Sequence, residues 1–134
     1  MNTILHLRVA GALLLALAAL NAVLPRHFGW REELKQVSLL TRQIFFVHAF
    51  FIALVLALFG MLSLCCAEEL AHPSVLSRAL LASFTLFWCI RLVAQFFVYD
   101  RALWRGDMLR TSMHALFAGL WAYLTAVYGS ALMM

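Results

Sequence analysis

Four apolar stretches, nearly free of charge, leave this chain few ways to fold. They cover about residues 4–24, 44–66, 75–98 and 109–131. Each reaches the roughly 20 residues that a helix needs to cross a hydrocarbon layer about 30 Å thick. Lipid offers no partner to a bare backbone amide, and an open strand would leave its amides unpaired, so these spans are expected to be helices. The predicted class is an all-α integral membrane four-helix bundle, a single four-span domain over residues 1–134. The charge content agrees: 12% of residues are charged and 66% hydrophobic, where a soluble domain carries about a quarter charged residues. The run ALLLALAAL inside the first span is built from strong helix formers, and Pro25 is expected to end that helix. The second helix is allowed an earlier start, near Ser38.

The few charges are gathered in the connections. The first loop holds Arg26, Arg31, Lys35 and Arg42, and the third holds Arg101, Arg105 and Arg110. Arg8 and Arg78 lie on the other side. Seven against two places loops one and three in the cytoplasm by the positive-inside rule, with both termini extracytoplasmic in a multi-pass cell-membrane protein. Trp30, Tyr99 and Trp104 fall where an aromatic belt on the cytoplasmic side is expected. The first apolar run is long enough to span, so it is expected to be retained and not removed as a leader. The net charge of +4 comes from residues flanking apolar spans, where anionic headgroups account for it. With no basic run and no zinc-finger spacing, no nucleic acid partner is expected. The bilayer is the expected partner, together with another membrane protein or a second copy. Cys65 and Cys66 adjoin each other at a span end and form no CxxC, so free thiols are expected.

Spans two and four read alike. His48-Ala49-Phe50-Phe51-Ile52-Ala53-Leu54 aligns with His114-Ala115-Leu116-Phe117-Ala118-Gly119-Leu120, each following an arginine, Arg42 or Arg110. Asn21 lies nine residues before Trp30-Arg31, and Gln95 nine before Trp104-Arg105. This pattern fits two parallel helical hairpins related by a pseudo-two-fold along the membrane normal. Chance matching in an apolar alphabet is the alternative.

Polar groups inside spans are costly, so they mark function or contact between helices. At 1.5 Å per residue, His48, Gln95 and His114 lie about 7 Å inside the cytoplasmic boundary, and Arg91 about 13 Å. Asn21 is at a similar level. Trp88, Arg91, Gln95 and Tyr99 share one helical face, and His114, Ala118, Trp121, Thr125 and Tyr128 another. All six acidic residues lie in loops or at span ends. Arg91 therefore snorkels to the surface, pairs with Asp100, or takes an anion from outside the chain, such as a lipid phosphate or a cofactor carboxylate. Ala12/Ala16/Ala19, Ala115/Gly119 and Ala118/Ala122/Ala126 are the small-residue series suited to close helix contact.

These residues define the candidate binding site: His48, His114, Arg91, Gln95 and Asn21. The leading expectation is a non-enzymatic subunit or binding module with a polar intramembrane site near the cytoplasmic side. One alternative is a redox carrier with haem b, in which His48 and His114 ligate the iron, Arg91 holds a propionate, and Phe50, Phe51, Phe117 and Trp88 line the macrocycle. Its ordinary counterpart has each histidine hydrogen bonded to Gln95, Asn21 or a backbone carbonyl. A small four-helix transporter is a further alternative, weakened because no span carries a carboxylate to couple protons. An enzyme acting on lipid headgroups has only His27, Glu32 and Glu33 in loop one to draw on, and no paired catalytic set.

Overall fold

The computed structural model describes residues 2–100, 102 and 105–134. Arg101 and Trp104, both named above for the third loop, lie outside the described residues. Helix makes up 88% of the chain and no strand occurs among the described residues. Four long helices, α1 (Thr3–His27), α3 (Leu39–Cys65), α5 (Val75–Phe97) and α6 (Met108–Met133), are separated by the short α2 (Trp30–Glu33) and α4 (Ala67–Ala71). Each long helix is long and apolar enough to cross a membrane. The chain is a small polytopic helical membrane protein. Ile44, Phe50, Ile52 and Leu58 on α3, and Leu86 and Ile90 on α5, stand exposed. Such surfaces would aggregate in water and are at home in lipid.

The helix ends have identifiable causes. The Ser38 hydroxyl accepts the Thr41 amide at 3.2 Å and starts α3. Ser74 and Ser77 form a reciprocal capping box at α5, and the Ser77 hydroxyl also donates to the His72 carbonyl at 2.7 Å. The Asp107 carboxylate accepts the Leu109 and Arg110 amides at 3.0 and 3.2 Å and starts α6. Each cap satisfies amides that a first helical turn leaves without an intrahelical acceptor. One expectation is corrected: α1 does not end at Pro25 but runs through it to His27. Proline removes a single amide donor. The next turn still closes, with the Phe28 amide donating to the Leu24 carbonyl at 3.1 Å.

The chain divides into two compact units, Leu7–Ala67 and Met1–His6 with Glu68–Met134. In the first, α1 and α3 meet backbone to backbone. A Cβ on Gly11 would lie 2.7 Å from both the Gly60 carbonyl oxygen and the Leu64 amide nitrogen. A Cβ on Gly60 would lie 2.9 Å from the Gly11 carbonyl oxygen. Only glycine fits at such a crossing, and in lipid close backbone approach supplies much of the helix–helix attraction. The contact is on Gly11, whereas Ala12, Ala16 and Ala19, the series expected to make it, are exposed. Loop one folds onto the start of α3 in the same unit. Trp30 meets Phe45 edge-on with ring centroids 5.6 Å apart, and the Arg31 guanidinium lies 5.9 Å from the Phe46 centroid. Gly29, at φ 65°, makes the turn that leads into α2.

In the second unit α5 packs along α6. Phe84 meets Tyr128 with centroids 5.1 Å apart, and Thr85 reaches the α6 backbone at Gly129, where an added Cβ would lie 3.5 Å from its methyl group. At the N-terminus, His6 Nδ1 and the Tyr123 hydroxyl are hydrogen bonded at 3.0 Å. Of the expected small-residue faces of α6, Ala118 is half-buried, and Ala115, Gly119, Ala122 and Ala126 are exposed.

Gly11→Ala is expected to destabilise the protein by about 1–3 kcal/mol, the usual cost of overpacking a tight contact. Gly119→Ala, where no atom lies within 4 Å of the new Cβ, is expected to be neutral or slightly stabilising through helix propensity. Unfolding of both variants in a detergent titration reads the difference. Equal midpoints would mean that the α1–α3 crossing tolerates a methyl group.

Candidate functional site

Three of the polar and aromatic positions on α5, Trp88, Arg91 and Gln95, converge on one α6 residue, Trp121. The indole of Trp88 stacks on that of Trp121, with centroids 5.1 Å apart and planes 10° apart. The Arg91 guanidinium carbon sits 4.9 Å from the Trp121 ring centroid and 5.9 Å from that of Tyr99. Gln95 Oε1 accepts from Trp121 Nε1 at 3.3 Å and from Arg91 at 3.2 Å. Phe117 stacks on Trp121 as well, at 5.7 Å and 16°. A cation over an indole contributes about 0.5–2 kcal/mol, more as water is excluded.

Gln95 is buried and organises the cluster. Both Arg91 and the indole N–H can only donate, so the amide oxygen must face them. The amide nitrogen then points at His114, whose Nδ1 lies 2.8 Å away. A primary amide nitrogen only donates, so Nδ1 must accept. This assigns His114 the neutral form with its proton on Nε2. An amide flipped by 180° would set donor against donor at Arg91 and Trp121. The arrangement has one orientation and one tautomer. Phe96 meets the imidazole edge-on at 5.7 Å and further limits its rotation.

Arg91 lies deep by its backbone position, but its side chain runs along α5 towards Gln95 and Tyr99, one and two turns nearer the helix end. The guanidinium is thereby turned towards the C-terminal end of α5. It is half-buried. Among the described residues it pairs with no carboxylate, and Gln95 takes its one hydrogen bond. The Asp100 alternative is not realised: that carboxylate caps the Ala102 amide at 2.9 Å. Arg110, the next described arginine on α6, is neutralised by Asp107 at 3.2 Å. Trp88 adds a second unusual feature, an indole N–H that is fully buried without a hydrogen-bond partner among the described residues. Leaving such a donor unmet costs about 1–3 kcal/mol.

The other two expected site residues, Asn21 and His48, lie in the other unit. The Asn21 amide donates to the Leu17 carbonyl at 2.9 Å in its own helix. His48 lies exposed on α3. Its Nδ1 is 2.8 Å from the Ile44 carbonyl oxygen, so Nδ1 carries the proton. The two aligned histidines thus occupy unlike settings and opposite tautomers. For iron, an imidazole must offer an unprotonated nitrogen. In His114 that nitrogen is Nδ1, which Gln95 already occupies. The haem alternative finds no support here, and among the described residues no three His, Cys, Asp or Glu side chains gather as a metal site. Cys65 and Cys66, expected as free thiols, are unbridged, and so is Cys89.

No protein-family model, no curated protein and no solved structure matches this chain. The site is therefore read from its chemistry alone. Sequence reasoning named Arg91, Gln95 and His114, but it gave Trp121 only a place on a stripe. The signal for Trp121 was its spacing from His114, two helical turns apart on one face. Nothing in that spacing shows that one indole meets Trp88, Arg91 and Gln95 together.

The Gln95–His114 hydrogen bond is expected to show a coupling of about 0.5–1.5 kcal/mol, the range for such bonds between membrane helices. A double-mutant cycle of Gln95→Leu, His114→Phe and the double variant measures it. Strict additivity would mean that the two side chains merely lie near each other. Gln95→Leu should also perturb the near-ultraviolet circular dichroism of the Trp88–Trp121 pair, since Gln95 holds the Trp121 indole.

Proposed function

We propose that this protein is a non-enzymatic membrane subunit or binding module whose site is the Arg91–Gln95–His114–Trp121 cluster, near the cytoplasmic side of a cell membrane. One observation carries the reading: a half-buried guanidinium held by neutral groups only, with a single hydrogen bond and no carboxylate paired with it among the described residues. A half-buried cation in a span is costly unless something compensates it. The cluster fixes its position without neutralising it, so the missing charge comes from an occupant. The Gln95 oxygen is taken by two donors and its amide nitrogen faces His114, which supports a rigid binding surface.

The orientation completes the proposal. The basic residues of loops one and three face the cytoplasm, and both termini face outward. In a protein retaining only Cys65, a membrane-impermeant maleimide added to intact cells is expected to label the thiol. In a cysteine-free protein carrying Lys35→Cys, labelling is expected only after permeabilisation. The reverse pattern would put the cluster at the opposite face.

The binding reading is tested on protein taken from its native membrane without harsh detergent. Native mass spectrometry is expected to find a stoichiometric component, lipid or protein, that is retained by the wild type and lost from Arg91→Gln. Circular dichroism checks that the variant keeps its helices. A bare wild-type chain, or the same retained components in both proteins, would remove the reading.

A further inference from the structure

Resting on that binding reading, we infer that the occupant of the Arg91 site is the phosphodiester of an anionic membrane lipid. Three features select it. The first is donor geometry. A guanidinium presents a planar fork that matches two oxygens of a phosphate at once, and Gln95 takes only one of its N–H groups. The remaining N–H groups have no acceptor among the described residues. The second is level. Through Gln95 and Tyr99 the guanidinium is drawn towards the end of α5, where a span leaves the hydrocarbon and lipid phosphates lie. A lipid phosphate there needs little displacement, whereas a soluble anion would have to shed water to reach a half-buried cation. The aromatic rings of Tyr99 and Trp121 suit the same zone, where amphipathic rings gather.

The third feature is apolar surface. Phe97, Val98, Met108 and Leu109, at the same end of the α5–α6 hairpin, are between 72% and 87% exposed. This apolar surface at the end of the hairpin suits acyl chains, which a free phosphate would not use. One guanidinium matches the single negative charge of a phosphodiester. A zwitterionic lipid brings its own cation, which competes for the phosphate, so the site favours anionic headgroups.

The test uses the full chain in detergent, titrated with dioleoylphosphatidylglycerol, dioleoylphosphatidylcholine or dioleoylglycerol and read by native mass spectrometry. Phosphatidylglycerol is expected to bind at least about ten times more tightly than either neutral lipid, the scale of a charge-assisted hydrogen-bonded pair. Arg91→Gln should abolish that preference. Arg91→Lys, which keeps the charge and loses the fork, should weaken it several-fold, so the outcome does not depend on the fold of one variant. Equal binding of all three lipids would overturn the inference, as would a phosphatidylglycerol preference unchanged in both variants. Displacement of the lipid by millimolar inorganic phosphate would assign the site to a soluble anion instead. If the component lost from Arg91→Gln in native membranes is an acidic protein, and phosphatidylglycerol shows no preference, the binding reading stands and this inference falls.

Discussion

A hydrocarbon solvent accepts no hydrogen bond, and this one constraint governs the structure at each scale. It forces the backbone into helices whose amides are internally paired. It permits exposed phenylalanine, leucine and isoleucine over α3 and α5, which water would not. It also withdraws the hydrophobic effect as a force between helices, since lipid tails are as apolar as the side chains they would replace. The helices must then attract one another by close packing or by polar contact. The two units use different solutions. The α1–α3 pair brings two glycine backbones together, while the α5–α6 pair joins through stacked indoles and a buried amide.

Gln95 shows how the constraint becomes specificity. A buried amide could in principle take either of two orientations, which differ by exchange of oxygen and nitrogen. Two obligate donors on one side, Arg91 and Trp121, leave only one of them. The choice propagates across the helix boundary and sets the tautomer of His114. In water each of these groups would find a substitute partner and the chain of consequences would break. In a dry hairpin the alternatives are donor–donor contacts, and a buried donor left unmet costs about 1–3 kcal/mol. The side-chain network is therefore an orienting device for Arg91 as much as a source of stability.

The sequence disclosed the architecture because charge segregation and span length depend only on the solvent. It disclosed the level shared by Gln95 and His114 because helical rise converts residue number into depth. It did not disclose rotation. A helix that is apolar on every side, as α3 is around His48, gives no periodic signal to say which face is turned outward. That residue was therefore grouped with His114 by depth, although its imidazole serves its own helix. The small-residue series shows the same limit: alanine is common on every face of these spans, and the close backbone approach falls on Gly11 and Gly60. The start of α3 near Ser38 was legible, and the helix is capped there, whereas the cap at Asp107 was hidden because an aspartate before an apolar run also occurs in ordinary loops.

Depth along the backbone is also a poor guide to where a long side chain acts. Arg91 enters the membrane about a turn deeper than Gln95, and helical Cα–Cβ bonds tilt towards the N-terminus, deeper still. Its side chain nonetheless doubles back towards the C-terminal end of α5. Snorkelling of this kind usually ends in water. Here it ends on an amide oxygen, an indole face and a phenol ring, so the cation stops short of full solvation. These groups stabilise the cation without cancelling its charge, which is the difference between a buried ion pair and a receptor. An ion pair with Asp100 would have closed the site within the chain. Since Asp100 instead caps the following turn, the guanidinium keeps both its charge and its donors, and α5 ends in a place suited to an anion.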